Sequence, residues 1–328
     1  MNCQDQIYSE EYIDFIGNRS LIESKYTLDC KQPLGARFAS LYLKLSDGYE
    51  DGTVYGYYNI PKLFGLQDTG SMESSGILQV RENPDLKLDG SGVLIGFVDT
   101  GIDYAGSIFL KQDGTTRVTA IWDQTIPAGS PIRLPAQPEL PETPENITRT
   151  PEGFLYGSEF THEQLNAAVK MEDAYEGISS RDENGHGTFL ASIAAGNELP
   201  DGSFTGAAPK ADIAMVKLKP AKNRLRAYYQ IKEDAVAYQE NDIMLGLRYL
   251  NDLARKQGMP LVICVALGTS FGGHNGDSIL ADILDIYATV RNRCVVVGTG
   301  NEAARRHHYF NRFTDAQDTR TAEIRVGE

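Results

Sequence analysis

Cysteine is scarce in this chain: Cys3, Cys30, Cys264 and Cys294 are four among 328 residues, and no CxxC spacing occurs. That excludes a dense disulfide framework and offers no zinc-ligand pattern. Because Cys264 and Cys294 fall inside apolar runs that read as buried strands, all four are expected to be reduced and structural. Basic residues are also in deficit, with 31 Lys and Arg against 45 Asp and Glu and a net charge of −14. Phosphate binding needs clustered cations, so no nucleic-acid partner is expected. Arg305, Arg306, His307 and His308 form the one local basic cluster, which reads as a solvated loop. No apolar run approaches the roughly 20 residues that span a bilayer, and no membrane partner is expected. The opening MNCQDQIYSEEY lacks a basic region followed by an apolar one, so no secretory signal is expected.

What is present describes a folded protein: 41% hydrophobic residues, 32 glycines and 17 tyrosines. Residues 1–75 are expected to form a small α+β unit and a linker, with strand-like alternation at 38–45 and a polar, glycine-bearing connection at 67–76. From residue 76 onward apolar strands alternate with amphipathic helices, the pattern of a parallel sheet covered by helices on both faces. Strands are expected at 93–98, 213–218, 261–267 and 294–297. A helix is expected at 242–257, with Ile243, Met244, Leu247, Leu250 and Leu253 on one face, Asn241 or Asp242 as its cap, and Gly258 ending it. Seven prolines between 126 and 151 mark a surface insertion.

Three segments carry chemistry. In Val98-Asp99-Thr100-Gly101-Ile102-Asp103 a buried strand ends in a carboxylate, where open α/β sheets present ligands. Asp-Thr-Gly also occurs in aspartic proteases, which need two such carboxylates; Asp68-Thr69-Gly70 lies in the polar linker and follows no strand. In Asn184-Gly185-His186-Gly187-Thr188 an imidazole at a helix start is flanked by glycines that permit close approach. In Gly298-Thr299-Gly300-Asn301-Glu302-Ala303 a strand runs into a glycine turn with an amide at its edge, placed to donate to an oxyanion.

In this order the three segments resemble the subtilase superfamily of serine proteases, over about residues 76–301, with further matches at 206–211 and 266–268. The resemblance implies a subtilisin-like α/β fold, Asp99 and His186 as catalytic residues, and Asn301 as the oxyanion donor. It also implies substrate binding by Leu267, Gly268, Thr269, Gly298, Thr299 and Gly300, and a polypeptide as substrate. Residues 120–125, 238–243 and 58–61 are similar to Csp-type subtilases of clostridia, which are associated with spore germination. That likeness implies that the first unit is a prodomain that stays docked on the catalytic domain, and a cytoplasmic or spore-associated location. Subtilases often bind Ca²⁺, but no carboxylate spacing here compels a site, and neither cofactor nor metal is expected.

The family's nucleophilic serine comes last, in a Gly-Thr-Ser-Met-Ala type motif. The Gly268-Thr269-Ser270 present here precedes Asn301 and belongs to the cleft wall, and no serine follows Ser278. The expectation is a portion of a serine endopeptidase whose serine lies elsewhere, in a longer product or on a remainder chain. The alternative is a catalytically silent pseudoprotease that acts as a scaffold or regulator of germination.

Overall fold

The computed structural model describes residues 3–20, 30–44, 59–66, 83, 85–86, 88–135, 147–273, 275–300 and 311–322. In chain order these form α1 (Cys3–Tyr8), β1 (Tyr12–Asn18), β2 (Lys31–Pro33), β3 (Phe38–Lys44), β4 (Leu63–Leu66), β5 (Leu94–Asp99), β6 (Val118–Asp123) and β7 (Ser158–Thr161). There follow α2 (His162–Ala168), α3 (His186–Ala195), β8 (Asp212–Lys217), β9 (Tyr238–Gln239), α4 (Glu240–Gln257), β10 (Leu261–Val265), β11 (Leu267–Gly268), α5 (Ile279–Thr289) and β12 (Arg293–Val297).

The central sheet has six strands in the order β12-β10-β5-β8-β6-β7. Its members run parallel except β7, which pairs antiparallel with β6. Every residue of β5 is buried, because both of its faces are covered. Leu94 and Val98 share an apolar cluster with Met244, Leu247 and Leu250 of α4, and a Cβ at Gly96 would meet Leu250 at 2.8 Å. The alternate residues Ile95 and Phe97 pack instead with Leu190, Ala191 and Ala195 of α3. Side chains alternate across a strand, so Asp99 emerges on the α3 side. The period of the strand thereby selects the helix that Asp99 meets.

Several expectations need correction. The strand foreseen at 261–267 breaks at Ala266, because Leu267 and Gly268 leave the central sheet to pair with β4. Neither Asn241 nor Asp242 caps α4. The cap is Gln239, and both side chains lie buried inside the first turn, where they serve other partners. The stretch 126–151 lacks regular structure where it is described, but it is no simple surface loop: Ile132 and Thr148 are buried. Residues 136–146 lie outside the described residues, as do 67–76 and the basic cluster at 305–308. Cys3 and Cys30 are not reduced. They form a disulfide with a Cα–Cα distance of 5.2 Å that ties α1 to the start of β2, a pairing that a separation of 27 residues without a motif did not signal. Cys264 and Cys294 are free, and Cys294 is exposed.

The N-terminal sheet, ordered β1-β3-β2 and antiparallel, packs with α1 against α4 and the loops beside it. Ile7, Ile16, Leu34 and Tyr42 join the same apolar cluster as Val98 and Leu250. At the centre of the contact Asp14 is fully enclosed. It receives Lys222 Nζ at 2.5 Å, Gln239 Nε2 at 2.9 Å and Asn241 Nδ2 at 2.9 Å. A second buried pair, Lys219 with Asp242 at 2.7 Å, lies nearby, and Tyr156 donates its hydroxyl to Asp242 at 2.7 Å. Removing one member of a buried pair strands the other charge. Asp14→Ala is therefore expected to cost about 3–5 kcal/mol in urea unfolding, whereas Asp14→Leu combined with Lys222→Met, which removes both charges, should recover most of the loss.

Candidate active site

Asp99 closes β5 with its side chain 1% exposed, and His186 is the first residue of α3. His186 Nδ1 meets Asp99 Oδ1 at 2.8 Å, and the same oxygen accepts the Thr100 amide at 2.7 Å. Two glycines make this contact possible. Gly185 enters the helix at φ 87°, in the left-handed region that a side chain resists. Gly187 lies against the strand end so closely that a Cβ would fall 2.2 Å from the Gly101 carbonyl oxygen.

The helix start and the strand end are then stitched together by Asp182. Its Oδ1 accepts from Thr100 Oγ1 at 2.7 Å and the Gly185 amide at 2.9 Å, and its Oδ2 accepts from the Thr188 amide at 2.9 Å and Thr188 Oγ1 at 2.6 Å. Thr100 Oγ1 in turn accepts the Gly187 amide at 2.9 Å, and Thr188 Oγ1 accepts the Asp103 amide at 2.9 Å. Burial alone would raise the Asp182 carboxyl, but these four donors outweigh it and hold it below the ordinary value. Lys217, opposite Asp99 in the β5–β8 register, donates to Arg181 O at 2.6 Å and Glu183 Oε2 at 2.7 Å, which fixes the loop ahead of His186. No role was read for Thr100, Asp182 or Thr188 from sequence; their place inside the two motifs was the available signal.

The residues expected to bind substrate follow the carboxyl ends of β10 and β12. Leu267 and Gly268 form β11, and Thr269 follows it, its Oγ1 accepting the Phe271 amide at 3.2 Å. Gly298, Thr299 and Gly300 follow β12, and the Gly298 amide donates to Val265 O at 3.2 Å, joining the ends of β12 and β10. Asn301 lies outside the described residues. Ser270 is exposed beyond β11. The Cys264 thiol is no substitute nucleophile: burial, with the Asp99 charge adding to it, pushes it up to about 11. A cavity of about 650 Å³, lined in part by Thr100, Glu183, Asn184, Lys217 and Tyr238, opens beside the dyad.

β11, β4 and β9 form a separate three-stranded sheet. The middle strand comes from the N-terminal region: Leu66 and Gly65 pair antiparallel with Leu267 and Gly268, and Leu63 and Phe64 with Gln239 and Tyr238. β11 and β9 are thus already paired with an extended segment of the chain itself. β9 borders the dyad: burial raises the Tyr238 phenol, with the charges of Asp99, Asp182 and Glu183 adding to it. Among the described residues no group of three or more His, Cys, Asp or Glu is placed to hold a metal ion, and no helix is long and apolar enough to cross a membrane.

A family model for the subtilase family matches residues 90–323. The chain belongs to the subtilase family of serine-type peptidases, and its mixed sheet with flanking helices is the subtilisin-like α/β fold. The subtilisin-like protease SBT3.8 of Arabidopsis thaliana is 30% identical over 144 residues, which is 39% of this chain and 16% of that protein. The structure of the Clostridium perfringens CspB protease matches with a TM-score of 0.51 at 29% identity, covering 69% of this chain and 39% of that one. This chain therefore spans well under half the length of either relative.

The Asp182 ties have a measurable sign. A carboxyl held below its unfolded value contributes stability above that value, near 3.8 for aspartate, and loses it as pH falls through the folded value. Acid unfolding of Asp182→Asn should therefore show a shallower loss below about pH 4 than the parent, together with lower stability at neutral pH. An unchanged acid limb would mean that these hydrogen bonds do not favour the charged form. Gly187→Ala is expected to separate His186 from Asp99, detected as loss of the strongly downfield Nδ1 proton in NMR.

Proposed function

We propose that this chain supplies the general base and its orienting carboxylate to a serine-type endopeptidase, and that its N-terminal unit is a prodomain that also blocks the cleft. The Asp99–His186 hydrogen bond at 2.8 Å carries the reading. With Nδ1–H donated to the carboxylate, the imidazole is held in the tautomer whose Nε2 accepts a proton, and a buried carboxylate stabilises the imidazolium that results. Proton transfer from a serine hydroxyl to His186 would accompany attack on the peptide carbonyl, and His186 would return the proton to the leaving amine. Asn301 would donate to the oxyanion; the turn 298–300 that leads to it emerges on the same sheet edge as Asp99. The serine itself would lie in the part of the relatives' length that this chain does not span, or on a second chain. A partner at that place is supported by β12, where Val296 and Val297 are half exposed at the sheet edge.

The prodomain reading is supported by β4, which lies along β11 as a peptide substrate would under strand addition. The buried Asp14 contacts would keep the unit in place if its connection to the rest of the chain were cut. A pure scaffold would have little use for a buried carboxylate bonded to an imidazole.

The full-length protein should release product in a burst and be inactivated by serine-directed phosphonates. Asp99→Asn should lower kcat by about 10⁴-fold, the scale of the corresponding loss in subtilisin, with little change in KM. A full-length protein that neither turns over peptides nor takes up phosphonate would overturn the reading.

A further inference from the structure

The last residues of three neighbouring strands stand in one register row: Asp99 of β5 is level with Lys217 of β8, and Lys217 with Asp123 of β6. Two positions earlier, Phe97, Met215 and Ile121 pack in the apolar cluster on the α3 side of the sheet. Side chains alternate across a strand, so Asp99, Lys217 and Asp123 emerge together on the side from which α3 begins. Residues 180–185, which lead into α3, form neither helix nor strand. Their place is set by hydrogen bonds.

These residues are tied to the row one strand at a time. Ser180 Oγ donates to Asp123 Oδ2 at 2.6 Å. Lys217 Nζ donates to Arg181 O at 2.6 Å and to Glu183 Oε2 at 2.7 Å. His186 then closes the series on Asp99. The bonds of Asp182 run to Thr100, Gly185 and Thr188, beside β5 or within the first turn of α3, and none reaches β8 or β6. Where the segment lies over those two strands is therefore set by Ser180 and Lys217.

The anchors are rigid. Asp123 is fully buried, Ser180 is nearly so, and the Lys217 side chain is 9% exposed. A buried ammonium is costly unless opposite charge compensates it, and Asp123 Oδ2 at 3.9 Å and Glu183 provide that charge. Asp123 is fixed in turn by Thr125, whose amide and hydroxyl donate to Oδ1 at 2.8 and 2.5 Å.

On the reading of His186 as the general base, we infer that Lys217 and Asp123 are positioning residues that act through residues 180–183 to keep the imidazole on Asp99. Without the ammonium, Arg181 O and Glu183 lose their anchor, and the loop ahead of His186 is free to shift along the strand ends. A displacement of about 1 Å at a reacting group can lower a rate by about 10²-fold. Lys217 also borders the cavity beside the dyad, whereas Asp123 and Ser180 do not line it. The latter two therefore separate positioning from any direct contact with substrate.

Two measurements test this. In the 328-residue chain, exchange of the downfield His186 Nδ1 proton with water should speed by about tenfold in Lys217→Met. A group that only stabilised the fold would lower the unfolding midpoint and leave this proton unchanged in the folded molecules. Exchange at the parent rate in Lys217→Met overturns the inference; should that variant not fold, Ser180→Ala, which removes one hydroxyl, decides in the same sense. In the full-length protein, Asp123→Asn should lower kcat by about 10²-fold and leave KM unchanged, with Ser180→Ala in its place if it does not fold. An effect confined to KM, or no effect, overturns the inference. If the full-length parent cuts no peptide, the protease reading fails, and proton exchange alone decides whether Lys217 holds His186 in place.

Discussion

A hydrogen bond of 2.8 Å between an imidazole and a buried carboxylate requires a strand end and a helix start to stand closer than side chains normally allow. The contact of Gly187 with Gly101 supplies that proximity, and the ring of bonds through Thr100, Asp182 and Thr188 holds it. Neither residue of the dyad is therefore positioned by its own rotamer alone. The imidazole is placed by a helix whose first turn is bonded to the strand it faces, and that strand is fixed by parallel neighbours on both sides. Preorganisation of this kind lets a base act without reorganising its surroundings during the reaction.

The second ordering principle is the sharing of main-chain groups among β9, β4 and β11. β9 and β11 are each two residues long, too short to form a sheet by themselves, and they become one through β4. The two short edges are joined by one extended strand between them. Around this ladder the N-terminal unit adds further contacts: the enclosed Asp14, and an apolar cluster in which Phe15, Leu41 and Leu63 meet Leu225 and Tyr229.

Much of the central sheet was legible because its strands are continuous apolar runs and its glycines stand where backbone must approach backbone. Asp99 and His186 could be named because each sits inside a short motif whose local geometry is encoded by its neighbours. What escaped was set by long-range contact. Glu240, Asn241 and Asp242 resemble an ordinary polar helix start, yet they are buried because the N-terminal unit covers them and brings Asp14 and Lys62 as partners. Cys3 and Cys30 join because the fold of that unit brings α1 against β2, which no spacing rule expresses. The break after Val265 was hidden for the same reason: the apolar run continues, but the partner strand changes from β5 and β12 to β4.

The apolar cluster that unites Ile7, Ile16 and Tyr42 with Val98, Met244 and Leu250 has no seam between the first unit and the large sheet. Heat should therefore melt both in a single calorimetric transition, and a nick in the connecting stretch should leave that transition intact, with the two pieces migrating together until both denature.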